Sequence, residues 1–229
     1  MSESVVLCGL LGSTSLIWDA QLPALRGRRV VQVDYPGHGD APLAEVGDVA
    51  ELATRVLDAV GDGTFSFVGL SLGGAVGMQL ALTVPDRLER LVLACTATRF
   101  GEPEQWYERA ATVRAEGTDA IADAALERWF TPAFDRVEVY RAMLLGIDPE
   151  GYARCCEALA RWDVRRQLGG IRSSVLAIAA ADDPSTPPVE LERIVAEVPG
   201  ARLEVIGNAA HAVNVERPDE FNRLIEEYL

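Results

Sequence analysis

The stretch that decides the fold is Phe65-Ser66-Phe67-Val68-Gly69-Leu70-Ser71-Leu72-Gly73-Gly74. An apolar, strand-like run leads into the pattern G-x-S-x-G, and a helical pattern follows at once. A serine presented on a sharp turn between strand and helix needs glycines beside it, because side chains there would collide with backbone. Ser71 is therefore the candidate nucleophile, and the amides that open the helix would favour a developing anion. The competing interpretation is a helix N-cap serine flanked by packing glycines.

Short apolar runs and helical patterns alternate through most of the chain. Strand-like runs occur at 4–8, 30–33, 64–68, 91–94, 175–179 and 203–206. Helical patterns occur at 16–25, 49–60, 71–83, 189–198 and 219–228. Continuous apolar strands separated by helices predict an α/β fold with a mostly parallel sheet and helices on both faces.

Residues 100–168 interrupt this alternation, because they are rich in aromatic and helix-forming residues and contain no strand-like run. We interpret them as a helical lid inserted into a core made of 1–99 and 169–229. Such an insertion would cover the carboxyl ends of the strands, where open parallel sheets bind ligands. Trp129 is the candidate pocket wall from this lid, and a tryptophan of the lid's own core is the alternative.

A serine hydroxyl is a poor nucleophile without a base, and the chain has two histidines. His211 follows the last predicted strand and is the candidate base, whereas His38 lies between glycines and is interpreted as a structural turn residue. A carboxylate should orient the histidine, and Asp182 and Asp183 both follow the fifth predicted strand. Choosing Asp183 gives the chain order serine, aspartate, histidine. For either aspartate the alternative is a loop or cap carboxylate.

An oxyanion hole needs two backbone donors. One should be the amide of Leu72, directly after the candidate nucleophile, and the other should come from the loop after the first strand, where we choose Leu11. The same loop also suggests a dinucleotide site, since glycines follow a strand and a second strand ends in Asp34. That reading lacks the G-x-G-x-x-G spacing and gives no role to the serine, aspartate and histidine.

The charge and the cysteines exclude several classes of function. With 21 basic and 35 acidic residues the formal net charge is −14, which argues against nucleic acid and anionic membranes as partners. The four cysteines form no C-x-x-C pattern, so a zinc or redox motif is not indicated. The start of the chain lacks a secretory pattern, and no apolar run approaches the length of a membrane span. We expect a cytoplasmic protein.

Several segments together resemble the α/β-hydrolase family, and closely its 3-oxoadipate enol-lactonase branch. The first loop and helix, the serine turn, the acid loop and the histidine loop all match. So do two lid segments. The matching segments are 11–13, 17–23, 69–74, 127–132, 150–159, 182–188, 209–211 and 216–218. In the acid loop the residue that matches the family's acid is Asp183.

This resemblance implies a serine hydrolase that opens 3-oxoadipate enol-lactone in aromatic catabolism, without cofactor or metal. The implied substrate is a small carboxylated molecule. An anionic substrate in an acidic protein requires a local positive group, and Arg99, Arg128 and Arg161 are the candidates. For each of them the alternative is an ordinary surface residue.

The chain departs from the branch at two places. The family normally begins with a strand hairpin, whereas only four residues precede the strand at Val5. In the family's strand order this leaves 30–33 as an apolar edge, so we expect a local segment or another chain, as in a homo-oligomer, to cover it. Second, Tyr35-Pro36 stands where the branch usually has an arginine before the glycine.

The sequence leaves other functions open within the same fold. The chain could act as a carboxylesterase, a C–C bond hydrolase or a biosynthetic acyl-processing enzyme with the same three residues. It could also be a ligand-binding homologue that retains the three residues but turns over negligibly.

Overall fold

A computed structural model describes residues 4–229. A single six-stranded sheet lies at the centre of the fold. The strands are β1 (Ser4–Cys8), β2 (Arg29–Val33), β3 (Phe65–Leu70), β4 (Leu88–Ala94), β5 (Ser174–Ala180) and β6 (Arg202–Ile206). Their order is β2-β1-β3-β4-β5-β6, and every neighbouring pair is parallel. The predicted α/β fold with a parallel sheet is confirmed.

The helices follow the predicted alternation. They are α1 (Val49–Val60), α2 (Leu72–Thr83), α3 (Pro103–Glu116), α4 (Asp119–Trp129), α5 (Val137–Leu145), α6 (Pro149–Ala160), α7 (Pro188–Glu197), α8 (Val213–Glu216) and α9 (Pro218–Tyr228). Helices α3 to α6 lie between β4 and β5 in the chain, within the segment that we interpret as a lid. In this segment Arg114 of α3 forms ion pairs with Glu150 and Glu157 of α6.

One segment that we predict to be a single helix has a different structure. The pattern over 16–25 is not one α-helix but two short 3₁₀ helices, Ser15–Trp18 and Leu22–Leu25. Pro23 has no amide hydrogen, so it cannot donate the bond to residue 19 that a continuous α-helix would require. The two short helices still bury Ile17, Trp18 and Leu25 against the core.

The strand order places the loops after β1 and β3 side by side at a reversal of the sheet. From β1 the chain runs outward to β2, whereas from β3 it runs in the opposite direction through β4, β5 and β6. Open parallel sheets bind ligands at such a reversal, beyond the carboxyl ends of the strands. The candidate catalytic residues and oxyanion donors lie in the loops after β1, β3, β5 and β6, and therefore at this same end.

The edge strand β2 is only half buried. Among residues 4–229 no strand pairs with that outer edge, and the cover that we expect for it stays a prediction. No helix of the described residues combines the length and the apolar character needed to cross a membrane.

Candidate active site

Ser71 lies on a strained turn between β3 and α2. Its φ is 58° and its ψ −111°, in a region that residues other than glycine rarely adopt. A Cβ at Gly69 would lie 2.2 Å from the Gly73 carbonyl oxygen, and a Cβ at Gly73 would lie 2.0 Å from the Cys8 carbonyl oxygen. The Ser71 side chain makes no capping hydrogen bond to α2, which removes the N-cap interpretation and leaves the hydroxyl available.

His211 and Asp183 meet in the loops after β6 and β5. The His211 Nδ1–H group donates to Asp183 Oδ2 at 2.7 Å, and both side chains are buried. Asp183 Oδ2 also accepts from the Thr186 hydroxyl at 2.7 Å, while Oδ1 accepts from the amides of Ser185 and Thr186. Since the neighbouring Asp182 is exposed, the structure brings Asp183 and not Asp182 to the histidine.

The surroundings of Asp183 favour its ionised form. Burial by itself would raise the pKa of this carboxyl. The charge of His211 and the hydrogen bonds from His211 and Thr186 outweigh burial and hold the pKa below its ordinary value. Asp183 is therefore an acceptor that fixes Nδ1 as the protonated nitrogen and leaves Nε2 of His211 free to take a proton.

The predicted oxyanion donors are backbone amides without another partner. Within residues 4–229 neither the Leu11 nor the Leu72 amide donates a hydrogen bond. The same is true of Leu10, and Leu10 and Leu11 both lie at the cavity beside Ser71. The loop after β1 thus offers two free amides, of which the sequence singled out only Leu11.

A cavity of about 300 Å³ opens over these groups. Ser71 and His211 line its floor from the core, while residues of the lid form much of the remaining wall. The lid residues at the cavity include Trp106, Arg109, Arg128, Trp129 and Tyr152. Trp129 therefore lines this cavity, and its contact with substrate stays a prediction.

Two of the three predicted arginines do not reach this cavity. Arg99 pairs with Glu102 and borders a different surface cavity. Arg161 donates to the backbone oxygen of Gly47 and is likewise not among the described residues that line the cavity at Ser71. The structure therefore places neither arginine at the cavity, and each has a partner elsewhere on the protein surface. Arg128 does line the cavity.

Arg109 is the second cationic group at the cavity. Its guanidinium lies 5.3 Å from the centre of the Trp106 ring. Among residues 4–229 neither Arg109 nor Arg128 has a carboxylate within ion-pair distance, and Arg128 Nη2 is buried without a hydrogen-bond partner. Burial and the nearby charge of Arg109 lower the pKa of Arg128, so the two cations repel each other at the cavity wall.

Comparison with known proteins matches this arrangement to one family. The sequence profile of the alpha/beta hydrolase family matches residues 5–224. The chain belongs to this family. It is 37% identical to 3-oxoadipate enol-lactonase 2 of Acinetobacter baylyi, over 97% of this chain and 87% of that protein. The resemblance to enol-lactonases is thereby confirmed, and hydrolase activity is the function that the family supports.

Solved structures of other alpha/beta hydrolases superpose closely on this one. The enol-lactonase from Burkholderia xenovorans LB400 gives a TM-score of 0.95 at 33% identity, covering 100% of this chain and 91% of that one. A thermophilic esterase from Thermogutta terrifontis, with malate bound, gives 0.93 at 27% identity, covering 100% and 89%. Enol-lactonases and esterases therefore share this hydrolase's architecture.

Potential metal donors also meet in this hydrolase. Cys95 Sγ, an Asp183 oxygen and a His211 nitrogen lie within 4.8 Å of one another. However, burial and the charge of Asp183 raise the pKa of the Cys95 thiol well above its ordinary value, and metals bind the thiolate. Asp183 and His211 are already bonded to each other. The three groups fit a hydrogen-bonded cluster better than a metal centre.

The lid of the hydrolase is attached to the histidine loop through backbone. The amides of His211 and Ala212 donate to the carbonyl oxygens of Arg128 and Trp129, at 3.4 and 2.9 Å. Glu216 bridges the same two segments, since its carboxylate accepts from the backbone and hydroxyl of Thr131 and from the amide of Ala210. Arg128, one of the two arginines at the cavity, is therefore fixed through its backbone to the candidate base.

Proposed function

We propose that this hydrolase opens a small carboxylated lactone through an acyl-enzyme on Ser71, with 3-oxoadipate enol-lactone as its substrate. One observation carries the proposal. A single cavity brings together the strained serine, the buried histidine and two arginines without carboxylate partners. The serine and histidine suit acyl transfer, and the arginines suit an anionic substrate.

In the proposed reaction Nε2 of His211 takes the proton of the Ser71 hydroxyl as Oγ attacks the lactone carbonyl carbon. The tetrahedral intermediate collapses by breaking the ring C–O bond, which leaves an acyl-enzyme and an enol that has received the proton. His211 then takes a proton from water, and the resulting hydroxide equivalent attacks the acyl carbon. Ser71 leaves with its proton restored, so the net change is addition of one water.

The developing oxyanion needs donors that are already in place. The amide of Leu72 and one of the two free amides at Leu10 and Leu11 are the groups that we assign to it. Because these amides have no other partner among residues 4–229, they lose no protein hydrogen bond when the oxyanion forms. Removal of one such donor typically costs about 3 kcal/mol in the transition state.

Recognition of the substrate carboxylate is the proposed role of Arg109 and Arg128. A chain of net charge −14 repels anions at long range, so an anionic substrate requires a local group that reverses the field. Two unpaired guanidinium groups at one wall supply it, and a bound carboxylate would relieve their mutual repulsion. The T. terrifontis esterase was determined with malate, itself a dicarboxylate, which supports this substrate class.

Steady-state turnover of 3-oxoadipate enol-lactone, compared with simple esters, tests the proposed function. We expect the lactone to be the better substrate, and Ser71→Ala to lose about 10⁴- to 10⁶-fold in kcat while its circular dichroism is unchanged. A fluorophosphonate should label Ser71 in the wild type and not in the variant. Full activity in Ser71→Ala would refute the nucleophile, and faster turnover of simple esters would make the chain a carboxylesterase instead.

Two further expectations accompany this proposal. We propose a cytoplasmic location, which cell fractionation tests. We also propose that the β2 edge is covered by a second copy of the chain, and a monomer in light scattering would contradict that version.

A further inference from the structure

His38 is a second buried histidine that the proposed mechanism does not use. Its side chain is fully buried, with Nδ1 at 3.1 Å from the Pro36 carbonyl oxygen and Nε2 at 3.3 Å from the Gly12 amide nitrogen. A carbonyl oxygen can only accept and an amide can only donate. Both bonds form together only when Nδ1 carries the proton and Nε2 does not. The two partners therefore select one neutral tautomer.

The Gly12 amide that His38 holds belongs to the loop 9–12, which carries the free amides at the cavity. The rest of this loop is also fixed by hydrogen bonds. The Gly9 carbonyl accepts from the Tyr35 hydroxyl at 2.6 Å and from the Gly73 amide at 3.1 Å. The Leu10 carbonyl accepts from the Ser13 hydroxyl at 2.8 Å. The Leu10 carbonyl shares a peptide with the Leu11 amide, and His38 holds the next peptide through the Gly12 amide.

His38 also touches the lid. Its ring lies parallel to that of Tyr152, with centres 6.5 Å apart, and Tyr152 lines the cavity. The turn that carries His38 is bonded to the start of α6, where the Asp148 amide donates to the Gly37 carbonyl. A Cβ at Gly151 would lie 2.4 Å from the Pro36 carbonyl oxygen, so the turn and the lid are in close contact. His38 thus lies between the lid and loop 9–12.

We propose that His38 is a positioning residue, which holds loop 9–12 so that its free amide reaches the oxyanion and thereby sets the rate of the chemical step. The inference rests on the proposed function, because it concerns the same oxyanion. His38 touches no substrate atom in this account. Its influence passes through one hydrogen bond to Gly12. Loss of that bond frees the Leu11–Gly12 peptide, and the adjoining Leu10–Leu11 peptide, which carries the free Leu11 amide, can then turn away from its catalytic orientation.

Two amide substitutions separate the two hydrogen bonds of His38. In His38→Gln the amide oxygen reaches about as far as Nε2 and can accept from Gly12. In His38→Asn the shorter side chain keeps a donor for Pro36 but cannot reach Gly12. Both replacements are neutral and polar, but both lack the imidazole ring, so we expect both to disturb the packing of the turn. Phe65→Leu, at the opposite end of the sheet, is the control for a general loss of stability.

We expect His38→Asn to lower kcat about 10- to 100-fold with KM changed by less than about threefold. His38→Gln should recover most of that loss, and the phosphonylation rate of Ser71 should follow kcat. Binding of adipate as a competitive inhibitor should be the same in both variants. Phe65→Leu should lower the melting temperature and leave kcat within about twofold.

Equal kcat values in the two variants would overturn the inference, as would a change confined to KM. The inference would also be overturned if kcat fell in proportion to the melting temperature in all three variants, including the control Phe65→Leu. These results differ from failure of the proposed function, which would appear in the wild type as turnover independent of Ser71. With Ser71-dependent turnover in the wild type and normal kcat in His38→Asn, only the role of His38 fails.

Discussion

The core holds Asp183 with hydrogen bonds from Ser185, Thr186 and His211, whereas the lid leaves Nη2 of Arg128 buried without a partner. Asp183 and His211 are thus fixed to each other before any substrate arrives. In the lid, Arg109 lies against the Trp106 ring, and the charges of Arg109 and Arg128 repel each other. The acid and histidine of the core have their hydrogen-bond partners within the protein, whereas the two lid arginines lack an anionic partner.

This difference assigns separate tasks to the two regions. Catalytic groups work best when the protein fixes them in advance, since no reorganisation is then needed in the transition state. Recognition of a charged substrate works by leaving a charge unpaired until the correct ligand supplies its partner. Substitutions in the core should therefore change kcat on every substrate. Substitutions of the lid arginines should change the binding of anions alone.

The largest expected effect is that of Asp183→Asn in the core. An asparagine cannot fix the protonated Nδ1 of His211 as a carboxylate does, so kcat should fall about 10⁴-fold on all substrates. Asp182→Asn, at the exposed neighbouring position, is the matched control and should retain normal kcat. A loss limited to carboxylated substrates would break the division between the two regions.

Gly73→Ala tests whether the serine turn depends on backbone contact. A Cβ there would lie 2.0 Å from the Cys8 carbonyl oxygen. We expect the free energy of unfolding to fall by more than about 3 kcal/mol in urea titrations. Gly169→Ala is the control, because no atom lies within 4 Å of its Cβ position. Similar stabilities in the two variants would show that the turn tolerates a side chain.

The lid arginines should act on anions specifically. We expect Arg109→Met and Arg128→Met each to weaken competitive inhibition by adipate about tenfold, a loss near 1.4 kcal/mol. Arg99→Met, whose arginine already pairs with Glu102, should leave inhibition unchanged. Equal weakening in all three variants would mean that net charge governs binding rather than the arginines at the cavity.

The last prediction concerns stability against pH rather than activity or binding. Burial lowers the pKa of His38 from its ordinary value of 6.5 to about 4. Between these values the unfolded chain binds a proton that the folded chain does not, so stability is lost as the pH falls through this range. The wild type should lose about 2 kcal/mol more than His38→Gln between pH 7 and pH 5, measured by urea unfolding. Parallel pH profiles would contradict the neutral tautomer.

Much of the core was accessible from the sequence because local spacing fixes it. The glycines around Ser71 follow from the steric needs of one turn, and strand ends in a parallel sheet place His211 and Asp183 on the same side. The link from His38 to Gly12 spans 26 residues and leaves no local signal. The sequence also named Leu11 but not Leu10, since backbone donors carry no side-chain signature.

The position of Arg99 away from the cavity has a cause that is visible in the sequence. Arg99 has Glu102 three positions later and pairs with it. Arg161 has Glu157 four positions earlier, although Glu157 pairs with Arg114 and Arg161 donates to the Gly47 carbonyl. Acids at such spacing commonly pair with the arginine. Arg109 and Arg128 have no acid three or four positions away on either side. A search for arginines without such neighbours would have favoured the two that line the cavity.

The most direct test of the division between core and lid compares two esters of equal acyl chain length. Mono-4-nitrophenyl adipate carries a free carboxylate, and 4-nitrophenyl hexanoate does not. The measurement is kcat/KM of three proteins: the wild type, the Ser71→Ala variant, and a double variant that carries both Arg109→Met and Arg128→Met. The account predicts that Ser71→Ala loses both activities, whereas the double arginine variant loses about 100-fold on the adipate ester and keeps hexanoate turnover. Equal losses on the two esters in the arginine variant would contradict it.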